Sequence, residues 1–180
     1  MYIQHEGLTL RDAKAGDAPV LAAWWNDGSV MAHAGFPLGI GCSVESVAKS
    51  LEQDSDEKGR RLIIEHKVPV GEMSYKNMGD GNACIGIKIC EESEQEKGLG
   101  RRAMSMLITE LFSAMGYGKI VLDTNLTNKR AQHVYELLGF QKIGVNINSW
   151  KDQLGELQSS IDYELEPQFF RSFITANNKK

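Results

Sequence analysis

Between positions 83 and 90, Cys84, Gly86, Lys88 and Cys90 alternate with Ile85, Ile87 and Ile89. This period of two predicts a strand whose isoleucines face a core. From 99 to 115 the rhythm changes: apolar residues at 99, 103, 106, 107, 111 and 115 recur at spacings of three and four, as on one face of a helix. The same two periods divide the rest of the chain. Strands are predicted over 8–11, 61–66, 70–75, 119–125, 140–148 and 160–165. A helix over 44–53 has Ser43 as N-cap and Val44, Val47, Ala48 and Leu51 as its apolar stripe, and one over 128–138 is closed by Gly139. A helix over 13–27 carries Pro19 near its start; the alternative start is Asp17 as N-cap with Pro19 in the first turn. Residues 29–41 read as a glycine-spotted apolar loop with one helical turn, 54–59 as a surface turn, and Met78-Gly79-Asp80-Gly81 as a hairpin turn.

The resulting order is β-α-α-β-β-β-α-β-α-β-β. Hairpins in the middle and one β-α-β crossover imply an α/β (α+β) fold, with a mixed, mostly antiparallel sheet of about seven strands and helices on both faces. The 180 residues suit a single domain spanning 1–180, with 173–180 expected to fray.

Composition, at 42% apolar and 24% charged, is that of a globular chain, and a net charge of −4 offers no concentrated basic face for nucleic acid. No apolar run approaches the roughly 20 residues needed to span a bilayer, and no basic segment leads into an apolar one at the start, so neither a membrane partner nor a signal peptide is expected. Cys42, Cys84 and Cys90 are odd in number. The last two, on one strand, would lie about 20 Å apart, too far for a disulfide. Free thiols in a reducing cytoplasm are the expectation. His5, His33, His66 and His133 are scattered and suggest no metal site.

The stretch Gln95-Glu96-Lys97-Gly98-Leu99-Gly100-Arg101-Arg102 joins the isoleucine strand to the long helix. At a helix start several N–H groups lack carbonyl partners and the helix dipole is positive, so phosphate oxygens are welcome there. Gly98 and Gly100 allow close approach, and Lys97, Arg101 and Arg102 add charge. The same pattern also suits a plain strand-to-helix connection with solvating basic residues. No Gly-x-x-x-x-Gly-Lys-Ser/Thr loop is present, and Ala103 stands where a dinucleotide fingerprint needs its third glycine.

Gln95-x-x-Gly98-x-Gly100 resembles the acetyl-CoA pyrophosphate loop of the GNAT superfamily of N-acetyltransferases, and Asn128-x-Arg130-Ala131-x-x-x-Tyr135-x-x-x-Gly139-Phe140 resembles that family's second signature. The order of elements is similar over essentially the whole chain. Leu10-Arg11, Trp25-Asn26-Asp27, Trp150-Lys151-Asp152, Gly155 and Asp162-Tyr163-x-Leu165 look like the branch containing ribosomal-protein N-terminal and spermidine acetyltransferases.

The resemblance implies a GNAT fold in which the strands carrying Ile89 and Val121 splay apart. It implies acetyl-CoA as cofactor, with pantetheine alongside Ile87, Ile89 and Cys90 and the pyrophosphate on the backbone of Gln95, Glu96, Lys97, Gly98, Leu99, Gly100 and Arg101. A backbone N–H near Ile89 would polarise the thioester carbonyl. Asn125, Asn128 and Ala131 would complete the cofactor site; for Asn128 an N-cap role is equally open. The implied reaction is direct attack by a primary amine, on a protein N-terminus, a polyamine or another small amine, in a ternary complex. Tyr135 would be the general acid, or a packing residue. Many relatives carry a glutamate early in the strand where Cys84 stands, and Glu72 on the neighbouring strand is the substitute base, with His33 a further candidate. Trp25, His33, Phe36 and Trp150 would wall the acceptor pocket. A monomer or homodimer is implied. The alternatives are a catalytically silent acyl-CoA-binding module, supported by the missing glutamate, and a nucleotide-binding protein using the same loop.

Overall fold

The computed structural model describes residues 1–174. Eight strands form one sheet in the order β1-β2-β3-β4-β5-β6-β8-β7. They are β1 (Tyr2–His5), β2 (Leu8–Asp12), β3 (Gly59–His66), β4 (Val68–Gly79), β5 (Asn82–Ile89), β6 (Lys119–Asn125), β7 (Gln141–Lys151) and β8 (Leu157–Leu165). The helices are α1 (Ala18–Trp25), α2 (Gly28–Met31), α3 (Val44–Leu51), α4 (Leu99–Ser113) and α5 (Lys129–Leu137). None among the described residues is long and apolar enough to cross a membrane.

The strand beyond the expected seven is β1. It pairs with β2 through the two-residue turn Glu6-Gly7, both with positive φ (45° and 78°), so a hairpin forms from a segment too short to show a period. At the next such hairpin, between β4 and β5, Asp80 and Gly81 turn with φ of 51° and 72°. The first long helix begins at Ala18 with Pro19 in its opening turn; the expected helical residues before it form a short 3-10 turn at Ala15–Asp17. Asp17 does not cap α1 with its side chain, because its carboxylate is held by the Arg11 guanidinium and the Lys14 amide, all at 2.8 Å.

The two faces of the sheet have separate cores. Ile85, Ile87 and Ile89 face α4 and α5 together with Leu10, Leu62, Met73, Leu122 and Tyr163. On the other face Ile63 and Cys90 pack with α1 and α3. Met104, Ser105 and Ile108, off the expected stripe of α4, are also buried. The segment after β8 covers that side of the helix, the Phe173 amide reaching Ser105 Oγ at 2.9 Å and the Phe170 ring meeting Phe112. The expected frayed tail is therefore corrected for Phe173 and Ile174, which are docked; 175–180 lie outside the described residues.

The shortest pairing opens the sheet. Among the described residues β5 and β6 are the only parallel neighbours, and they pair only at Asn82–Lys119, Ala83–Ile120 and Cys84–Val121. Beyond that point β5 stays with β4 as far as Ile89, and β6 stays with β8 as far as Asn125. The sheet opens there into a cleft with a free backbone edge on each side.

Candidate active site

On the β5 side, the amides of Cys90 and Glu91 both donate to the Val70 carbonyl, at 2.9 and 3.1 Å, a bulge that ends the ladder. Since Cys90 directs its amide toward β4, strand alternation turns the backbone groups of Ile87 and Ile89 the other way, into the cleft. The Ile89 carbonyl accepts the Gln95 side-chain amide at 3.0 Å, and Arg130 Nη1 donates to Gln95 Oε1 at 3.0 Å. Gln95 thus ties the glycine loop to β5 and to α5.

The loop turns on two residues with positive φ, Glu96 (60°) and Gly98 (75°), the second being the N-cap of α4. The first amide to find a carbonyl within the helix is that of Arg102, on Gly98 O at 3.3 Å, which leaves the amides of Leu99, Gly100 and Arg101 without a helical partner. At Gly100 a Cβ would lie 3.9 Å from Ile87 and Ile89 side-chain carbons, so the helix start packs on the isoleucine face of β5, where that strand has left β6. The basic residues are less uniform than their spacing suggests. Lys97 Nζ pairs with Glu94 at 2.9 Å, and Arg102 turns away to the carbonyls of His5 and Glu6 at 3.2 and 2.9 Å. Arg101 has no ion pair among the described residues.

α5 follows β6 through a short turn that uses both expected asparagines structurally. Asn125 Oδ1 accepts from the Thr127 amide (2.9 Å) and hydroxyl (2.7 Å), its Nδ2 donates to Gln158 Oε1 at 3.0 Å, and Asn128 caps α5 through the Ala131 amide at 3.1 Å. Two turns on, Tyr135 is 7% exposed and packs edge-on to Tyr163 with centroids 5.6 Å apart. Its hydroxyl makes no hydrogen bond among the described residues and is not sealed from solvent. Burial, aided by the charge of Asp123 and by Tyr163, pushes its phenol up to about 12.

Glu72, also 7% exposed, lies beside Lys88 on β5. Its Oε1 accepts from Trp25 Nε1 at 2.9 Å and Lys88 Nζ at 3.0 Å, while Oε2 takes no bond from the described residues. The preceding tryptophan, Trp24, reaches Glu91 Oε1 at 2.9 Å. Burial, then the charge of Glu72, pushes the Cys90 thiol up to about 12, and burial also raises that of Cys84. Both thiols are thus held in the form that is a poor base.

Trp150 sits against Gly35, where a Cβ would come within 2.4 Å of the indole. Gln153 fastens the same loop, its amide donating to Gly35 O (2.8 Å) and its side chain bonding Leu38 N and Gly39 O at 2.9 Å each. His33 and Phe36 are exposed on this loop, and the 3-10 turn carrying His33 lies against β6. Trp25 and Glu72 are therefore joined by a bond, as are Trp150 and the His33–Phe36 loop by packing. Two residues not assigned to the site from the sequence stand on the same face: Asp123 of β6 directly opposite Asp162 of β8. The Asp123 carboxyl is pushed above its usual range, first by loss of surrounding solvent and then by the Asp162 charge; Asn146 Nδ2 donates to Asp162 Oδ2 at 2.8 Å. Asp162 belongs to a stretch that carries the family resemblance, but nothing in the sequence pairs it with Asp123, because register alone makes them neighbours.

A model of the GNAT acetyltransferase domain matches residues 7–141. The chain belongs to the GNAT acetyltransferase family. This acetyltransferase accordingly uses acetyl-CoA as acyl donor for an amine. Its fold is similar to that of spermidine N-acetyltransferase from Vibrio cholerae, solved with CoA and spermine (TM-score 0.80, 22% identity, 91% of this chain and 97% of that one). It is similar too to RimL, a ribosomal L7/L12 alpha-N-protein acetyltransferase solved with coenzyme A (TM-score 0.82, 18% identity, 92% and 98%). A third likeness is to the ribosomal-protein-alanine N-acetyltransferase from Brucella melitensis (TM-score 0.75, 18% identity, 87% and 98%). At these identities the likeness is one of fold. No curated protein sequence matches the GNAT chain.

Proposed function

We propose that this acetyltransferase acetylates a primary amine on a small, positively charged molecule of the polyamine class, in a ternary complex. The observation that carries the substrate class is the facing pair Asp123 and Asp162, on the same sheet face as Glu72. A pair of carboxylates that no described cation neutralises favours a substrate with more than one ammonium group.

The donor set fits CoA. The glycine at 98 has the left-handed backbone a close loop requires, the first-turn amides of α4 have no helical carbonyl partner and so are available to an anion, and the free edge of β5 offers alternate amides and carbonyls to an extended pantetheine. In this reading the amides of Leu99, Gly100 and Arg101 hold the pyrophosphate, and Gln95 keeps the loop against β5. Ile87 and Ile89 would pair with the pantetheine arm, and the Ile89 amide would be available to polarise the thioester carbonyl. The cofactor supplies a thioester whose acyl carbon accepts the amine.

Two protons must be managed by the chain itself. The substrate ammonium, with an ordinary pKa of about 10 or more, has to lose one, and Glu72 Oε2 receives it, directly or through water, while Trp25 and Lys88 fix the other oxygen. The leaving sulfur gains one from Tyr135 Oη, which burial keeps protonated at neutral pH, and the second proton that the nitrogen sheds as the amide forms restores the phenol through solvent. Asn125 and Asn128 serve the site by shaping the turn into α5. Trp25, Trp150, His33 and Phe36 border the acceptor side.

The test is acetylation of a panel holding spermidine, spermine, a neutral monoamine and peptides with free N-termini. Polyamines are expected to give kcat/KM at least tenfold above the rest, with the advantage lost in Asp123→Asn. Peptides outperforming polyamines would overturn the substrate class. Binding of CoA with no turnover of any amine would instead favour a silent acyl-CoA-binding module.

A further inference from the structure

After β8 the chain turns at Pro167–Phe169 and runs back along α5 and α4. The Arg171 amide donates to Leu138 O at 3.0 Å. The Phe169 carbonyl lies where a Cβ on Gly139 would fall, 1.9 Å away, so this approach requires the glycine that ends α5. Phe170 then meets Phe112 edge-on at 6.1 Å. Phe173 reaches the start of α4: its amide donates to Ser105 Oγ at 2.9 Å, and that hydroxyl, fully buried, donates to Arg101 O at 2.9 Å. The guanidinium carbon of Arg101 lies 5.0 Å from the Phe173 ring centroid.

Arg101 differs from the other cations around the loop. Lys97 is bonded to Glu94, Arg102 to two backbone carbonyls and Arg130 to Gln95. Among the described residues Arg101 has neither carboxylate nor carbonyl partner for its side chain. Its Nε and Nη2 lean over Gly98, 3.2 and 3.4 Å from where a Cβ would stand. The guanidinium is therefore placed between an aromatic face and the N-terminus of α4, with its donors uncommitted.

We infer that Phe173 is a positioning residue for the cofactor: its ring holds the Arg101 guanidinium over the first-turn amides of α4, where it bonds a CoA phosphate. The inference rests on the loop's reading as the acetyl-CoA pyrophosphate site. An arginine free in solvent must be immobilised when the phosphate binds, and one already stacked on a ring loses less freedom. Both the stacking and the bidentate fork need a planar cation, which lysine does not supply.

Calorimetric titration of CoA into the full chain tests this. Arg101→Ala is expected to weaken CoA about tenfold and Phe173→Leu about fivefold, whereas Phe173→Tyr stays within about twofold of the wild type. In the Arg101→Ala background, Phe173→Leu should change nothing further. With S-acetylpantetheine, which has no phosphate, as acyl donor, kcat/KM should be the same for wild type and Phe173→Leu. Equal CoA affinity in the leucine and tyrosine variants would overturn the inference and leave simple packing. So would an undiminished leucine effect without Arg101. A wild type that fails to bind CoA at all would overturn the cofactor site and this inference together.

Discussion

On the β5 side of the cleft, the groups assigned to the cofactor are mostly backbone: the amides of Leu99, Gly100 and Arg101 and the free edge at Ile87 and Ile89. The groups proposed for the acceptor side are side chains, brought from α1 (Trp25), β4 (Glu72), β6 (Asp123), β8 (Asp162) and β7 (Trp150). A backbone site depends on local conformation within one short stretch. A side-chain site depends on how strands some forty residues apart in sequence come into register. The first therefore tolerates most substitutions except those that change the backbone, and the second is open to any change of residue.

The comparison breaks most sharply at Tyr135, the side chain proposed to work between the two sides. Tyr135→Phe is expected to lower kcat about 100-fold while the CoA dissociation constant stays within about twofold. An unchanged kcat would return Tyr135 to core packing against Tyr163 and Phe140. Because its phenol is pushed up to about 12, activity of the wild type should not fall between pH 7 and 10 through ionisation of this group.

A backbone change sharpens the contrast next. Gly98→Val puts a β-branched residue at φ 75° with its Cβ against the Arg101 guanidinium, and should weaken CoA about tenfold. On the backbone reading, Lys97→Ala, which removes a cation already paired with Glu94, should cost less than twofold. Similar losses in the two variants would mean that charge, not backbone geometry, holds the pyrophosphate.

Asp123→Asn gives the smaller acceptor-side effect: KM for a polyamine should rise about tenfold with KM for acetyl-CoA unchanged. It should also raise the thermal midpoint at pH 7 by about 1–2 °C. The sign follows from the raised carboxyl. A group protonated more readily in the folded state favours folding at low pH and loses that advantage as pH rises through its folded value. The stabilisation by asparagine should therefore fade below about pH 4. A variant less stable at pH 7 would show that Asp123 is held by favourable contacts instead of facing the Asp162 charge.

Local pattern determined most of the frame. The isoleucine alternation placed β5 with its inward face, the three-four spacing placed α4, and the Gly98–Gly100 pair located the loop between them, because each follows from contacts within a few residues; the stretch from Asn128 to Phe140 was marked by its resemblance to the family's second signature. The pattern did not reveal β1, whose pairing is made by a two-residue turn, nor the docking of Phe173, whose partners Arg101 and Ser105 lie some seventy residues away. It set Lys97, Arg101 and Arg102 on equal terms, and only the packed structure commits two of them elsewhere. The pairing of Asp123 with Asp162, the hold of Trp25 and Lys88 on a single oxygen of Glu72, and the point at which β5 leaves β6 were likewise decided by the tertiary structure. Periodicity records which face of an element is buried. Which residues meet across that face is settled by register and packing between distant segments.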